Sequence, residues 1–245
     1  MGMAIVPDGF GAGVREIAPD AGSYFASLLY AGGRCDLSLL GGWMDPERYG
    51  REVPDGLREM ADRLYAAIDR GYHIVVWSDG SADGMLTAAV LMEGLGWVGD
   101  GCISYDVGHQ PDVNKDQFVI AYDNAGTPST GDSNPNFLSL NPYSAAMDGR
   151  AGVAIAFGLL EQLKIKTSLI TGDWRVGDLS ELLDLVTVGL LSDPAIAMTG
   201  EHRYLVQRGI PFLQRQEDPK TSTRPGIQRM LEHCKEQGED RKSVV

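Results

Sequence analysis

An apolar run, Ile74-Val75-Val76-Trp77, stops at the polar stretch Ser78-Asp79-Gly80-Ser81-Ala82-Asp83-Gly84, and Met85-Leu86-Thr87-Ala88-Ala89-Val90-Leu91-Met92 then resumes with helical composition. The pattern predicts a buried parallel strand, a tight acidic loop and a helix, and the rest of the chain is organised around this unit. Upstream, Leu57, Met60, Ala61, Leu64 and Ile68 fall at helical spacing on one face, and Gly71 is placed to end that helix. Downstream, Cys102-Ile103-Ser104-Tyr105 and Phe118-Val119-Ile120-Ala121-Tyr122 read as further short strands. Residues 127–144, dominated by Ser, Asn, Pro, Thr and Gly, read as loop, interrupted by the apolar Phe137-Leu138-Ser139-Leu140. Ala151 to Leu163 is predicted as a buried helix and Leu179 to Leu191 as a helix with one apolar face. The segment from Glu217 is polar with an amphipathic piece around Ile227–Leu231, residues 23–42 suggest two short helices, and residues 1–22 read as an irregular lead-in.

This order of elements predicts an α/β fold: a parallel sheet with helices on both faces, preceded by a short helical N-terminal segment. The expected divisions are 1–54 for the lead-in and helical segment, 55–216 for the α/β domain and 217–245 for a C-terminal helix and tail. In open α/β sheets ligands bind outside the carboxyl ends of the strands. Asp79 and Asp83 follow the first strand there, and Asp123 in Asp123-Asn124-Ala125-Gly126 follows another. Two acids in such a crevice invite a divalent cation, because hard cations prefer oxygen ligands. The bland alternative is that Asp79-Gly80 and Asp123-Asn124 build turns and Asp83 caps a helix. Asp193, at the end of the Leu179–Leu191 helix, is a further isolated acid.

Composition changes the picture in one respect. Hydrophobic residues at 43% and charged residues at 22% are ordinary for a globular protein, but the formal charge of −13 is not. A surface this acidic repels phosphate backbones, so single-stranded nucleic acid is expected to bind weakly or through a partner. Cys35, Cys102 and Cys234 are widely spaced with no CxxC pair, which suggests neither a zinc site nor a disulfide framework and points to a reducing, cytoplasmic location. No apolar stretch approaches the roughly 18 residues that span a bilayer, so no membrane partner is expected. The first residues also lack the charged start and long apolar centre of a signal peptide.

Five pieces in order carry a resemblance: Asp79-Gly80-Ser81-Ala82-Asp83-Gly84; Asp123-Asn124-Ala125-Gly126; Asn141-Pro142 followed by Gly149-Arg150-Ala151-Gly152-Val153-Ala154-Ile155-Ala156-Phe157; Asp184 to Asp193; and Gly200 to Gly209. In this order the chain resembles the N-terminal and DHH domains of RecJ-type single-strand exonucleases, of the DHH phosphoesterase family, from roughly Ala18 to Leu231. The resemblance implies two Mn²⁺ or Mg²⁺ ions held by aspartates and by a "D-H-H" triplet, which activate a water and stabilise charge on a phosphodiester. Carried over position by position, Asp79, Asp83, Asp123 and Asp193 keep a carboxylate as implied catalytic and metal residues, and Ser81 stands where the first motif has its middle aspartate.

The departures are as informative. No "D-H-H" occurs anywhere, and only 17 residues, 124 to 140, separate Asp123 from Asn141, where the family fits a helix, a strand and the triplet. Asp132-Ser133-Asn134 offers no imidazole in its place. Of the four histidines, His73 reads as structural, His202 lies in a turn-like piece and His233 in the polar tail, which leaves His109 as the one placed near the crevice. The chain also ends where the family's further C-terminal domain is expected to begin. These departures point to a RecJ-like protein with a degenerate metal site, catalytically impaired and acting as a binding or assembly module with a protein partner from replication or repair machinery. The alternative is a metal-dependent phosphoesterase or 5′–3′ single-strand exonuclease using the remaining aspartates; a nucleotide-binding domain without protein partners is a third class.

Overall fold

The computed structural model of the chain describes residues 12–14, 16, 53–96, 103–108, 114–122, 134–140, 150–170, 178–192, 200–218 and 220–236. Their elements run α1 (Asp55–Asp69), β1 (His73–Ser78), α2 (Ala82–Gly96), β2 (Ile103–Val107), β3 (Gln117–Tyr122), β4 (Phe137–Ser139) and α3 (Gly152–Ile170). A 3₁₀ turn (Leu179–Leu182), α4 (Leu183–Ser192), α5 (Gly200–Arg215) and α6 (Pro225–Glu236) follow. Two compact units are distinguished: residues 1–52 with 197–207, and residues 53–196 with 208–245. Within the first, residues 12–14 and 16 are helical, a short helix where the sequence suggested irregular lead-in. The two short helices expected in 23–42 lie outside the described residues.

The second unit holds a four-stranded, all-parallel sheet in the order β2-β1-β3-β4, so the fold is α/β as expected. The central strands are buried on both faces, which is why they read as continuous apolar runs rather than alternating ones. Val75, Trp77, Val119, Ala121 and Phe137 form a cluster on one face. Ile74, Val76, Phe118, Ile120 and Tyr122 point to the other, where α2 and α3 pack. Gly71, with φ of 71°, ends the α1 region and turns the chain into β1; its amide donates to the Ile68 carbonyl at 2.9 Å.

Three elements differ from the sequence reading. Phe137–Ser139, read as an apolar interruption in a loop, is a strand paired with Val119–Ala121. It is held by Arg63 on α1, whose Nη2 donates to the carbonyls of Asn134 (3.2 Å), Pro135 (3.3 Å) and Phe137. The helix expected at 179–191 opens as a 3₁₀ turn, with the Asp178 carboxylate accepting from the Ser180 amide at 3.1 Å. Gly200–Arg215 is one helix despite Pro211 within it, so His202 lies in a helical first turn and is buried.

Candidate functional site

The strand order sets the crevice. β1 is flanked by β2 on one side and by β3 on the other, so the strand order reverses between β1 and β3. Ser78 pairs with Tyr122 in register, and Asp79 follows the first as Asp123 follows the second in the chain. The Asp79 amide donates to the Tyr122 carbonyl at 3.2 Å, which carries the strand pairing one residue further into the acidic loop.

The loop is tight for local reasons. Gly80 takes φ of 79°, a conformation costly for a side chain, and a Cβ there would also meet Val107 at 3.2 Å. Asp79 then folds its carboxylate over the turn: Oδ1 accepts from the Ser81 amide at 2.9 Å and from the Ser81 hydroxyl at 2.7 Å. The Ser81 Oγ in turn accepts from the Gly84 amide at 3.0 Å. These are the bonds of an Asx turn leading into a helix. Ser81 is therefore a donor to its neighbour.

Asp83 lies in the first turn of α2 and is 8% exposed. Its Oδ2 accepts from the Tyr122 hydroxyl and, at 3.2 Å, from the Gly152 amide at the start of α3. Tyr122 is 2% exposed, and its ring packs against Gly84 and Gly152. A Cβ on Gly152 would lie 2.3 Å from Tyr122 Cε2 and 2.5 Å from the Thr87 hydroxyl, so no side chain fits between the two helix starts. Tyr122 was missed from sequence because a tyrosine ending an apolar strand reads as core; its signal was its place directly before Asp123.

Of the four aspartates expected to act together, Asp79 lies in the loop after β1 and Asp83 in the first turn of α2 that follows it, while Asp123 and Asp193 lie outside the described residues. His109 and Asp132-Ser133 lie outside them as well. Asn134 closes a turn, its Oδ1 accepting from the Asn136 amide at 2.9 Å. His73 is structural, as its position suggested, with Nε2 at 2.8 Å from the Ser104 hydroxyl. Among the described residues no three His, Cys, Asp or Glu side chains gather as a metal site. The resemblance implies bound cations; among the described residues Asp79 Oδ1 and Asp83 Oδ2 are taken up by protein N–H and O–H donors, and these two carboxylates by themselves do not make a cation site.

A second acidic cluster, which sequence reading missed, lies among α2, α4 and the segment between α5 and α6. Asp184 is 1% exposed; its Oδ2 accepts from Arg224 Nε at 2.7 Å and Gln216 Nε2 at 3.1 Å, and its Oδ1 from the Leu185 amide at 2.7 Å. Arg224 also binds both oxygens of Glu93, one at 2.9 Å, and donates to the Glu181 carbonyl at 3.0 Å. Burial pushes the Asp184 carboxyl above its ordinary value against the opposing pull of Arg224. Burial alone would lower the Arg224 guanidinium, but Glu93 and Asp184 hold it above its ordinary value.

The fold and its switch-point crevice define a parallel α/β protein with an acidic strand-to-helix loop. Among solved structures, the chain is similar to RecJ from Thermus thermophilus, determined in complex with Mn²⁺, with a TM-score of 0.64 and 21% identity. The match covers 93% of this chain and 36% of that one, so the chain spans about a third of the RecJ it resembles. The likeness supports a RecJ-like fold for this chain. No family profile matches it, and no curated protein is detectably similar.

Proposed function

We propose that this protein is a RecJ-like domain with a degenerate metal site, catalytically impaired, which acts as a binding or assembly module in DNA replication or repair. The observation that carries the reading is Ser81. Where the resemblance calls for an anionic ligand, the chain places a neutral hydroxyl that donates to Asp79 at 2.7 Å. A serine hydroxyl is a poor substitute for a carboxylate at a hard cation. The absence of any "D-H-H" in the sequence removes the imidazole half of the same site. The charge of −13 favours a protein partner over direct contact with a phosphate backbone. Among the described residues no helix is long and apolar enough to cross a membrane, and a cytoplasmic location belongs to the same proposal.

The test is incubation with 5′-labelled single-stranded DNA and Mn²⁺, beside an Asp123→Ala control. The reading expects no nucleotide release from either protein. Release by the wild type that the substitution abolishes would instead establish the second reading, a metal-dependent phosphoesterase built on Asp79, Asp83, Asp123 and Asp193. That second reading is favoured by the position of Asp79 and Asp83 beside the switch point of the sheet. The assembly role is tested by a size-exclusion shift with a polymerase, a helicase or a single-strand-binding protein. Monomeric elution with all of them would count against it.

A further inference from the structure

Asp83 is held by groups that come from three different elements. The carboxylate belongs to the first turn of α2, the Tyr122 hydroxyl to the last residue of β3, and the Gly152 amide to the first turn of α3. Both donors meet the same oxygen, and both Asp83 and Tyr122 are more than nine-tenths buried. Charge-assisted hydrogen bonds of this kind stabilise an ionised carboxylate, and an amide at a helix start adds the positive end of its dipole. Those are the services a cation would render to the same oxygen. The geometry leaves little room for change: the Tyr122 ring is wedged between Gly84 and Gly152, where a Cβ would come within 3.1 and 2.3 Å of it. Displacing the hydroxyl from Asp83 therefore means moving a packed ring, because close-packed interiors do not deform cheaply.

We propose that at Asp83 Oδ2 the Tyr122 hydroxyl and the Gly152 amide take the place a metal ion would hold, which makes this carboxylate a structural tie between β3, α2 and α3. The proposal deepens the impaired-enzyme reading and rests on it, since it supplies the reason an acid is kept where metal chemistry is not.

The experiment is a double-mutant cycle on the full chain: wild type, Tyr122→Phe, Asp83→Asn and the pair, each unfolded thermally in EDTA and in millimolar MnCl₂. The expected result is that each single substitution lowers the midpoint by several degrees. The double variant should lose clearly less than the sum, because one bond is removed twice. The midpoints should be the same in both buffers. A wild type that Mn²⁺ stabilises, with the gain lost in Asp83→Asn and kept in Tyr122→Phe, would overturn the proposal, as would strictly additive losses. Direct Mn²⁺ titration of the same four proteins provides a readout that does not depend on folding: no saturable binding that requires Asp83 is expected. The nuclease assay separates the two claims. Mn²⁺ bound through Asp83 without nucleotide release would sink the tie and leave the impaired reading standing. Nucleotide release without any contribution of Asp83 to Mn²⁺ binding would do the reverse.

Discussion

The Asp83 tie and the Arg224 network are two solutions to one problem, a carboxylate taken out of water. At Asp184 the protein answers with a full opposite charge: one guanidinium, its side chain 13% exposed, is shared with Glu93 and buttressed by Gln216. At Asp83 it answers with a hydroxyl and a backbone amide. The first arrangement joins α2, α4 and the residue before α6 through ions, and losing one partner strands a buried charge. The second joins strand and helix ends through dipoles, and losing one donor leaves the other in place. The ion-paired arrangement thus lies far along the chain at Arg224, and the hydroxyl–amide arrangement at the starts of α2 and α3.

That contrast can be broken most severely at Arg224. Arg224→Met should cost about 3 kcal/mol in urea unfolding, since Asp184 is left buried and unpaired while the more exposed Glu93 regains water. Arg224→Lys should recover only part of the loss, because an ammonium cannot span both carboxylates in the fork geometry. The crevice side is probed by Gly152→Ala, expected to cost about 2 kcal/mol as its Cβ forces Tyr122 and Thr87 apart. Arg63→Met, which removes the donor to three carbonyls at the start of β4, should cost about 1.5 kcal/mol. A smaller change, of sign more than size, is expected from Asp184→Asn. Because the Asp184 carboxyl is raised in the folded state, its protonated form is favoured by folding. The stability of the wild type relative to Asp184→Asn should therefore fall as pH rises from below 3.8 through the raised folded value, then level off. An opposite slope in acid titrations of the two proteins would contradict the assignment. Smallest is Lys166→Met: its ion pair with the exposed Asp62 should be worth at most about 0.5 kcal/mol by chemical denaturation.

How much was legible in the sequence follows from where each interaction closes. The β1–loop–α2 unit was readable because its strand is apolar throughout, its loop carries glycine and aspartate, and its key bonds, Ser81 to Asp79 and Gly84 to Ser81, are local. Arg224 was not readable: it sits in a polar stretch, and its partners lie 131 and 40 residues away. Tyr122 looked like strand core because its ring is core; only the hydroxyl does anything else, and its partner is 39 residues off. β4 escaped notice because three residues amid Asn and Pro give no period to detect, and Arg63, which pins it, is more than 70 residues upstream. α5 was obscured by Gly209 and Pro211. A Cβ at Gly209 would lie 1.8 Å from the Thr187 hydroxyl, so the glycine is present for packing against α4 and does not mark a turn.

The most direct measurement is a crystal structure grown in MnCl₂, with data collected at the manganese edge. The account predicts no anomalous density at Asp83 and a Tyr122 hydroxyl still bonded to its carboxylate. An anomalous peak within coordination distance of Asp79 and Asp83, with Tyr122 turned away, would contradict it.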